Sequence, residues 1–257
     1  MVVRLGQIGA QRRDGDATVT VPDRASKSAL DCLRLCVVLG RGDVIGGFEI
    51  QRDLRSGPRG VVYEAVQVGV GRVVALRVLD LRLSRGHDPT FVARFREQEW
   101  PEHPHIAPVL EAGEWDHGLF VAMQLIRGDT ITEMLARGDL DQPAALAALT
   151  EIASALDSAH ERGLAHGWVS PQAVLIDEDG WSWLVNFGLF PGTATPAADR
   201  AAFATLARTC LGKRSLPRGG WETTSALMQA VSARLDAQPD GGRGWVRRPR
   251  RGASPPP

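Results

Sequence analysis

Gly167-Trp168-Val169-Ser170-Pro171-Gln172-Ala173-Val174-Leu175, followed by Val185-Asn186-Phe187-Gly188, is the stretch on which the reading of this chain turns. Val174–Ile176 and Trp181–Val185 flank Asp177-Glu178-Asp179-Gly180, a turn sequence between two apolar runs, so this part is a β-hairpin. Upstream, Leu146, Leu149, Ile152, Leu156 and Ala159 recur at helical spacing within 142–162. Downstream, 198–211 and 223–235 also read as helices.

Before residue 130 the pattern is different. Phe48-Glu49-Ile50, Gly60 to Ala65 and Val73 to Leu79 are short β-branched runs, with a turn at Gly69–Gly71 between the last two. Residues 106–111 and 119–125 suggest two more strands. Phe91–Glu99 reads as a short helix stopped near Pro101. A strand-rich first half and a helix-rich second half make an α+β chain of two lobes. The domain reading is a leader over 1–43 with a short helix at 26–39, a first lobe and connecting segment over 44–128, a second lobe over 129–238, and a tail over 239–257. The tail's Gly, Arg and Pro content reads as disorder.

Composition excludes several classes. The 257 residues carry 30 basic and 30 acidic side chains, so no bulk charge favours nucleic acid or an acidic membrane. Only Lys27 and Lys213 are lysines, which makes arginine at any one position less informative. Cys32, Cys36 and Cys210 form neither a metal-ligand spacing nor an even disulfide framework and read as small buried thiols, which fits a reducing cytoplasm. The longest apolar stretch, Ala29 to Leu39, is interrupted by Asp31 and Arg34, so no transmembrane helix is expected.

Several segments then fall in a telling order: Leu54-Arg55-Ser56-Gly57-Pro58-Arg59-Gly60-Val61-Val62-Tyr63, Val74-Ala75-Leu76-Arg77, His103-Pro104-His105-Ile106, Val121 to Gly128, Ala159 to His166, and Asp199 to Gly212. In that order they resemble the glycine-rich loop, lysine strand, post-helix turn, hinge, catalytic-loop approach and buried large-lobe helix of the protein-kinase superfamily, specifically the bacterial Hanks-type serine/threonine kinases. The resemblance implies a bilobal kinase-like fold: a small antiparallel N-lobe with a shortened regulatory helix, and a trimmed helical C-lobe.

The departures bear on chemistry. Kinases position ATP and magnesium and stabilise charge on the transferred phosphoryl group. At the position of the family's phosphate-holding lysine stands Arg77, bulkier and planar. At that of the catalytic aspartate stands Trp168, whose indole only donates. Ser170 replaces a phosphate-facing lysine. Ala173 replaces an asparagine that binds the second magnesium, and Asn186 replaces the aspartate that binds the first. A neutral amide is a much poorer ligand for a hard divalent cation than a carboxylate. Gln98 falls where the lysine's glutamate partner should be, with Glu97 or Glu99 as substitutes if the helix rotates. The segment 189–196 is too short for an activation loop and lacks its closing motif. Asp177 and Asp179, the nearest acids, belong to the hairpin turn, and His166 matches a structural residue packed under Phe187.

The apolar slot is better kept. The resemblance places Leu54, Val62 and Ala75 over an adenine and Leu175 beneath it. It makes Met123 the gatekeeper, and the Gln124 carbonyl and Ile126 N–H the hydrogen-bonding hinge groups. The same residues read equally as core. Gly57 and Gly60 suit either a phosphate approach or a turn. Arg55, Arg59 and Arg77 read either as an anion clamp or as arginines in an Arg-rich chain. Trp168, Trp181 and Trp183 are expected near the former active site, with Trp181 and Trp183 sharing a strand face as core or as a docking patch.

The expectation is a catalytically inactive kinase-like domain (a pseudokinase) used as a protein-binding or signalling module in the cytoplasm. It requires no cofactor and binds ATP or another nucleotide at most weakly, without magnesium. Its partner is a protein, with a kinase or a phosphothreonine-binding domain reading Thr193 or Thr195 as candidates. Nucleic acid and membrane insertion are not expected. The alternatives are a divergent kinase with slow phosphoryl transfer, or a degenerate gene product.

Overall fold

The structure is a computed structural model that describes residues 39–57, 60–80, 97, 99–115, 118–189, 194–212, 216–217 and 220–237. The expected helix at 26–38, Cys32, Cys36, Arg59, Gln98, Thr193, most of the 91–99 helix and the 239–257 tail lie outside the described residues. The chain divides into two compact units, Met1–Trp100 with Ala107–Ile126, and Pro101–Ile106 with Arg127–Pro257.

The first unit is a six-stranded antiparallel sheet in the order β1-β2-β3-β4-β6-β5. Its strands are β1 (Val44–Ile45), β2 (Phe48–Gly57), β3 (Gly60–Gln67), β4 (Val73–Asp80), β5 (Val109–Trp115) and β6 (Gly118–Gln124). Alternation decides the faces. Tyr63 pairs with Leu76, and Leu76 with Ala122, so these three lie in register on one face. They join Ile50, Val74, Val78 and Phe120 in one buried cluster. Phe48 and Phe120 meet with centroids 6.0 Å apart at 58°. Ala75 and Arg77, of opposite parity on β4, are also buried, at 7 % and 6 % exposure. β4 is therefore covered on both faces.

One expected strand moves. Residues 106–111 do not form it; β5 begins at Val109. Pro108 has no N–H to give a ladder, and its carbonyl accepts from the Gln124 amide at 3.0 Å. Ile106 belongs instead to the second unit, in an isolated parallel bridge with Leu184.

The second unit has a three-stranded antiparallel sheet, β7 (Gly128–Thr130), β8 (Val174–Asp177) and β9 (Ser182–Leu184). Four helices accompany it among the described residues: α1 (Ile131–Arg137), α2 (Gln142–Glu161), α3 (Pro196–Leu211) and α4 (Thr224–Asp236). Thr130 and Glu133 form a reciprocal capping box at α1. Asp141 caps α2 through the Ala144 amide at 2.9 Å. α2 buries Ala145, Leu149, Ile152, Leu156 and Ala159 along one stripe.

α4 is fastened to α2 by Asp157. Its carboxylate accepts from the Thr224 amide (2.8 Å), the Thr224 hydroxyl (2.6 Å) and the Ser225 amide (2.8 Å). Burial pushes this carboxyl up, but the bonds from Ser225 and Thr224 outweigh burial and hold it below its ordinary value.

α3 corrects an expectation. It reads by resemblance as a buried helix, yet only one face is buried, carrying Asp199, Phe203, Leu206, Ala207, Cys210 and Leu211. Ala197, Ala201, Thr205 and Thr209 are exposed. The Thr205 and Thr209 hydroxyls donate to the carbonyls four residues back, so this face needs no protein cover. Cys210 lies buried and unpaired, its thiol pushed up to about 12 by burial. No described helix is long and apolar enough to cross a membrane.

Candidate functional site

The segment that opens the sequence reading is fixed by one carboxylate. Asp199, 1 % exposed, projects from the first turn of α3. It accepts from the His166 amide at 2.6 Å and the Gly167 amide at 2.9 Å, and faces His160 Nε2 at 3.1 Å. Burial works against its ionisation, but the donors on His160, Gly167 and His166 prevail and hold its carboxyl below the ordinary range.

His166 is fully buried and both ring nitrogens are engaged. Nδ1 accepts from the Trp168 amide at 3.1 Å, so Nε2 carries the proton and donates to the Val185 carbonyl at 3.0 Å. The ring meets Phe187 edge-on, with centroids 5.3 Å apart at 81°. Burial lowers its pKa; the Val185 bond and the Asp199 charge pull the other way, and His160 adds to the lowering. A neutral, enclosed imidazole with both nitrogens occupied exchanges no proton with a substrate.

Two further bonds join the loop to the second stretch and a third closes a turn within the loop. Val185 N donates to Ala173 O at 2.9 Å, Ala173 N to Ser170 O at 2.9 Å, and Gly188 N to His166 O at 3.2 Å. Within this framework Trp168 is half-buried against the helical core. Ala173 is fully buried and offers no side-chain ligand. The Ser170 hydroxyl is buried with no hydrogen-bond partner. Leu175, 5 % exposed, pairs with Thr130 and Trp183. Asn186, 9 % exposed, has φ 65°, a left-handed conformation that Asn tolerates better than most residues.

The nearest acid is occupied. Asp177 Oδ1 accepts from the amides of Asp179 (3.1 Å) and Trp181 (2.8 Å), and Oδ2 from the Trp183 indole (2.9 Å). Of the two tryptophans only Trp183 lies in β9, where Ser182 and Leu184 on either side of it are buried. Trp181 precedes β9, is 44 % exposed, and stacks on His105 at 4.5 Å and 25°. Trp183 turns to Asp177 instead.

Ser182 lies between them, fully buried, its hydroxyl without a hydrogen-bond partner. Its backbone is satisfied by Glu151 (3.0 Å) and His105 Nδ1 (2.9 Å). Ser182→Ala removes an orphaned hydroxyl and is expected to raise stability by about 1 kcal/mol. Thermal denaturation should show Tm higher by about 2–4 °C.

The remaining candidates lie in the first unit. Leu54 falls at a register shift in β2, and Gly57 pairs with Gly60. Val62 pairs with Arg55 and Arg77, and Ala75 with Met123. Met123 and Ile126 are 5 % and 9 % exposed; Gln124 is exposed. Gly60 has φ 107°, and a Cβ there would collide with the Val78 carbonyl. The sheet itself therefore requires glycine at 60.

The sequence pattern of the protein kinase domain matches residues 48–205. The chain belongs to the protein kinase family. Among relatives of this kinase-family chain, the serine/threonine-protein kinase PknH of Mycobacterium bovis is 36 % identical over 157 residues, covering 59 % of this chain and 26 % of PknH. PknE of Mycobacterium tuberculosis is likewise 36 % identical, with 27 % of its length covered. The chain thus spans about a quarter of the length of the curated relatives it matches. Among solved structures, a mutant form of the Mycobacterium tuberculosis PknI kinase domain superposes with a TM-score of 0.67 at 25 % identity, covering 77 % of this chain and all of that one.

Two features escaped the sequence reading. The role of Asp199 had a signal: a carboxylate on the same helical stripe as Phe203 and Leu206 must find buried donors. The stack of Trp181 on His105 had none, since 76 residues separate them. Among the described residues no group of three or more His, Cys, Asp or Glu side chains is placed to hold a metal ion.

Proposed function

We propose that this kinase-family domain is catalytically inactive and serves the cell as a protein-binding or regulatory module in cytoplasmic signalling. The observation that carries the reading is the joint substitution at Trp168, Ala173 and Asn186, in a loop whose anchoring bonds to Asp199 are intact. An indole cannot accept the proton of a substrate hydroxyl, alanine offers magnesium no ligand, and a neutral amide lacks the charge of a carboxylate. The maintained bonds argue against a decaying gene product, because a loop free of all selection has no reason to keep a buried carboxylate paired. Any nucleotide binding is weak and metal-independent, resting on the apolar Ala75, Met123 and Ile126 of the first unit. The partner is a protein. Thr195, exposed at the N-cap of α3, is a phosphoacceptor for another kinase and a mark for a phosphothreonine-binding domain.

The test is incubation of purified protein with labelled ATP and magnesium. The expected result is no phosphate on the protein or on a generic substrate above a protein-free control. Transfer that Asn186→Ala abolishes would instead establish a divergent, slow kinase. A thermal-shift titration completes the test, since a ligand of the native state raises Tm. A small shift unaffected by magnesium is expected.

A further inference from the structure

Charge is divided unevenly along this neutral chain. Residues 101–106 and 127–238 of the second unit hold fourteen Asp and Glu against nine Lys and Arg. The segment from 239 to 257 holds five arginines, Arg243, Arg247, Arg248, Arg250 and Arg251, against the single acid Asp240. An acidic body joined to a basic segment attracts it at an effective concentration set only by the link between them.

The body also offers a place suited to arginine. At the β8–β9 turn, Glu178 and Asp179 are exposed and Asp177 is held beside them. Two residues beyond Asp179 is Trp181, 44 % exposed, the only exposed aromatic side chain among the large hydrophobics of the described residues. Its indole is fixed by the stack on His105 and by a 3.4 Å bond to the Pro104 carbonyl. A guanidinium binds a carboxylate through paired donors and stacks on an indole through its quadrupole, and a pre-fixed ring loses little entropy when it does so.

We propose that the basic segment Arg243–Arg251 of this same chain docks on the β8–β9 turn, with arginines against the exposed Trp181 indole and the Glu178 and Asp179 carboxylates. Reach permits it. Ten to fourteen residues separate Ala237 from Arg247–Arg251, about 33–50 Å when extended. A unit of this size has a radius of gyration of about 14 Å. Docked, the segment covers the exposed aromatic of the second unit and competes with any protein that would bind there. This inference stands apart from whether the domain transfers phosphate.

The test uses the full chain and the Trp181 indole N–H resonance, assigned with Trp181→Phe. Raising salt from ~50 to ~500 mM shortens the screening length severalfold and is expected to shift this resonance. Arg247→Glu, Arg248→Glu, Arg250→Glu and Arg251→Glu together should produce the same shift at low salt. Adding Glu178→Arg and Asp179→Arg to that variant should return the resonance towards its original position. A Trp181 signal indifferent to the four reversals overturns the proposal, as does a shift that the two compensating changes fail to reverse. Anionic vesicles that bind the wild-type chain through these arginines without moving the Trp181 signal would assign the segment to a lipid surface instead, and would equally overturn it. Unchanged melting of each variant confirms that the folded body is being compared.

Discussion

Asp199→Ala is expected to lower stability by about 3–5 kcal/mol, because it strands buried donors on His160, His166 and Gly167. Denaturant titration should show the loss as a lower midpoint, and Tm should fall by roughly 10 °C. Asp199→Asn keeps the shape and one acceptor oxygen but not the charge, so an intermediate loss of about 1–3 kcal/mol is expected. The pH dependence has a definite sign. The folded carboxyl titrates below its unfolded value of about 3.9. Its contribution is therefore complete above that value and disappears as pH falls through the lower, folded one. Wild type and Asp199→Ala should accordingly converge in stability on strong acidification and differ most near neutrality. A variant within about 1 kcal/mol of wild type at pH 7 would mean that the 166–168 backbone is held by something other than this carboxylate.

Gly60→Ala carries the second large effect, in the other unit. A non-glycine residue at φ 107° is strained, and its methyl would run into the Val78 carbonyl of the neighbouring strand. Strained backbone of this kind costs about 1–3 kcal/mol alone, and the collision adds to it because a backbone oxygen cannot rotate away. A loss of about 3 kcal/mol is expected in thermal or urea melts. Gly220→Ala, where a Cβ meets nothing within 4 Å, should stay within about 0.5 kcal/mol. The loss at Gly60 should be the same with and without added nucleotide. If it vanished on adding nucleotide, the phosphate-approach reading of this glycine would be restored.

The sheet and helices were largely legible beforehand because their signal is local. Alternation in Val73 to Leu79 and helical spacing in Leu149, Ile152, Leu156 and Ala159 report which side of an element is buried, whatever lies opposite. The family was legible because its motifs keep their order along the chain. Errors fell where a neighbour distant in sequence decides the outcome. Ile106 looked like the start of a strand, but it bridges to Leu184, and Pro108 delays β5 to Val109. Trp181 and Trp183 read as core or as a docking patch, but Trp181 is 44 % exposed and stacked on His105, and the Trp183 indole is held by Asp177.

The amino-acid sequence by itself determined the element types, the two-lobe α+β character and the kinase family. Only the tertiary structure decided that Asp199 carries the loop, that Gly60 answers to the Val78 carbonyl, that Ser182 is left without a partner and that one face of α3 meets water. The physical reason is that periodicity encodes the side on which a residue is buried. A buried polar group's free energy depends instead on which donor or acceptor the folded backbone brings within about 3 Å, and that partner is set by chain closure over tens of residues.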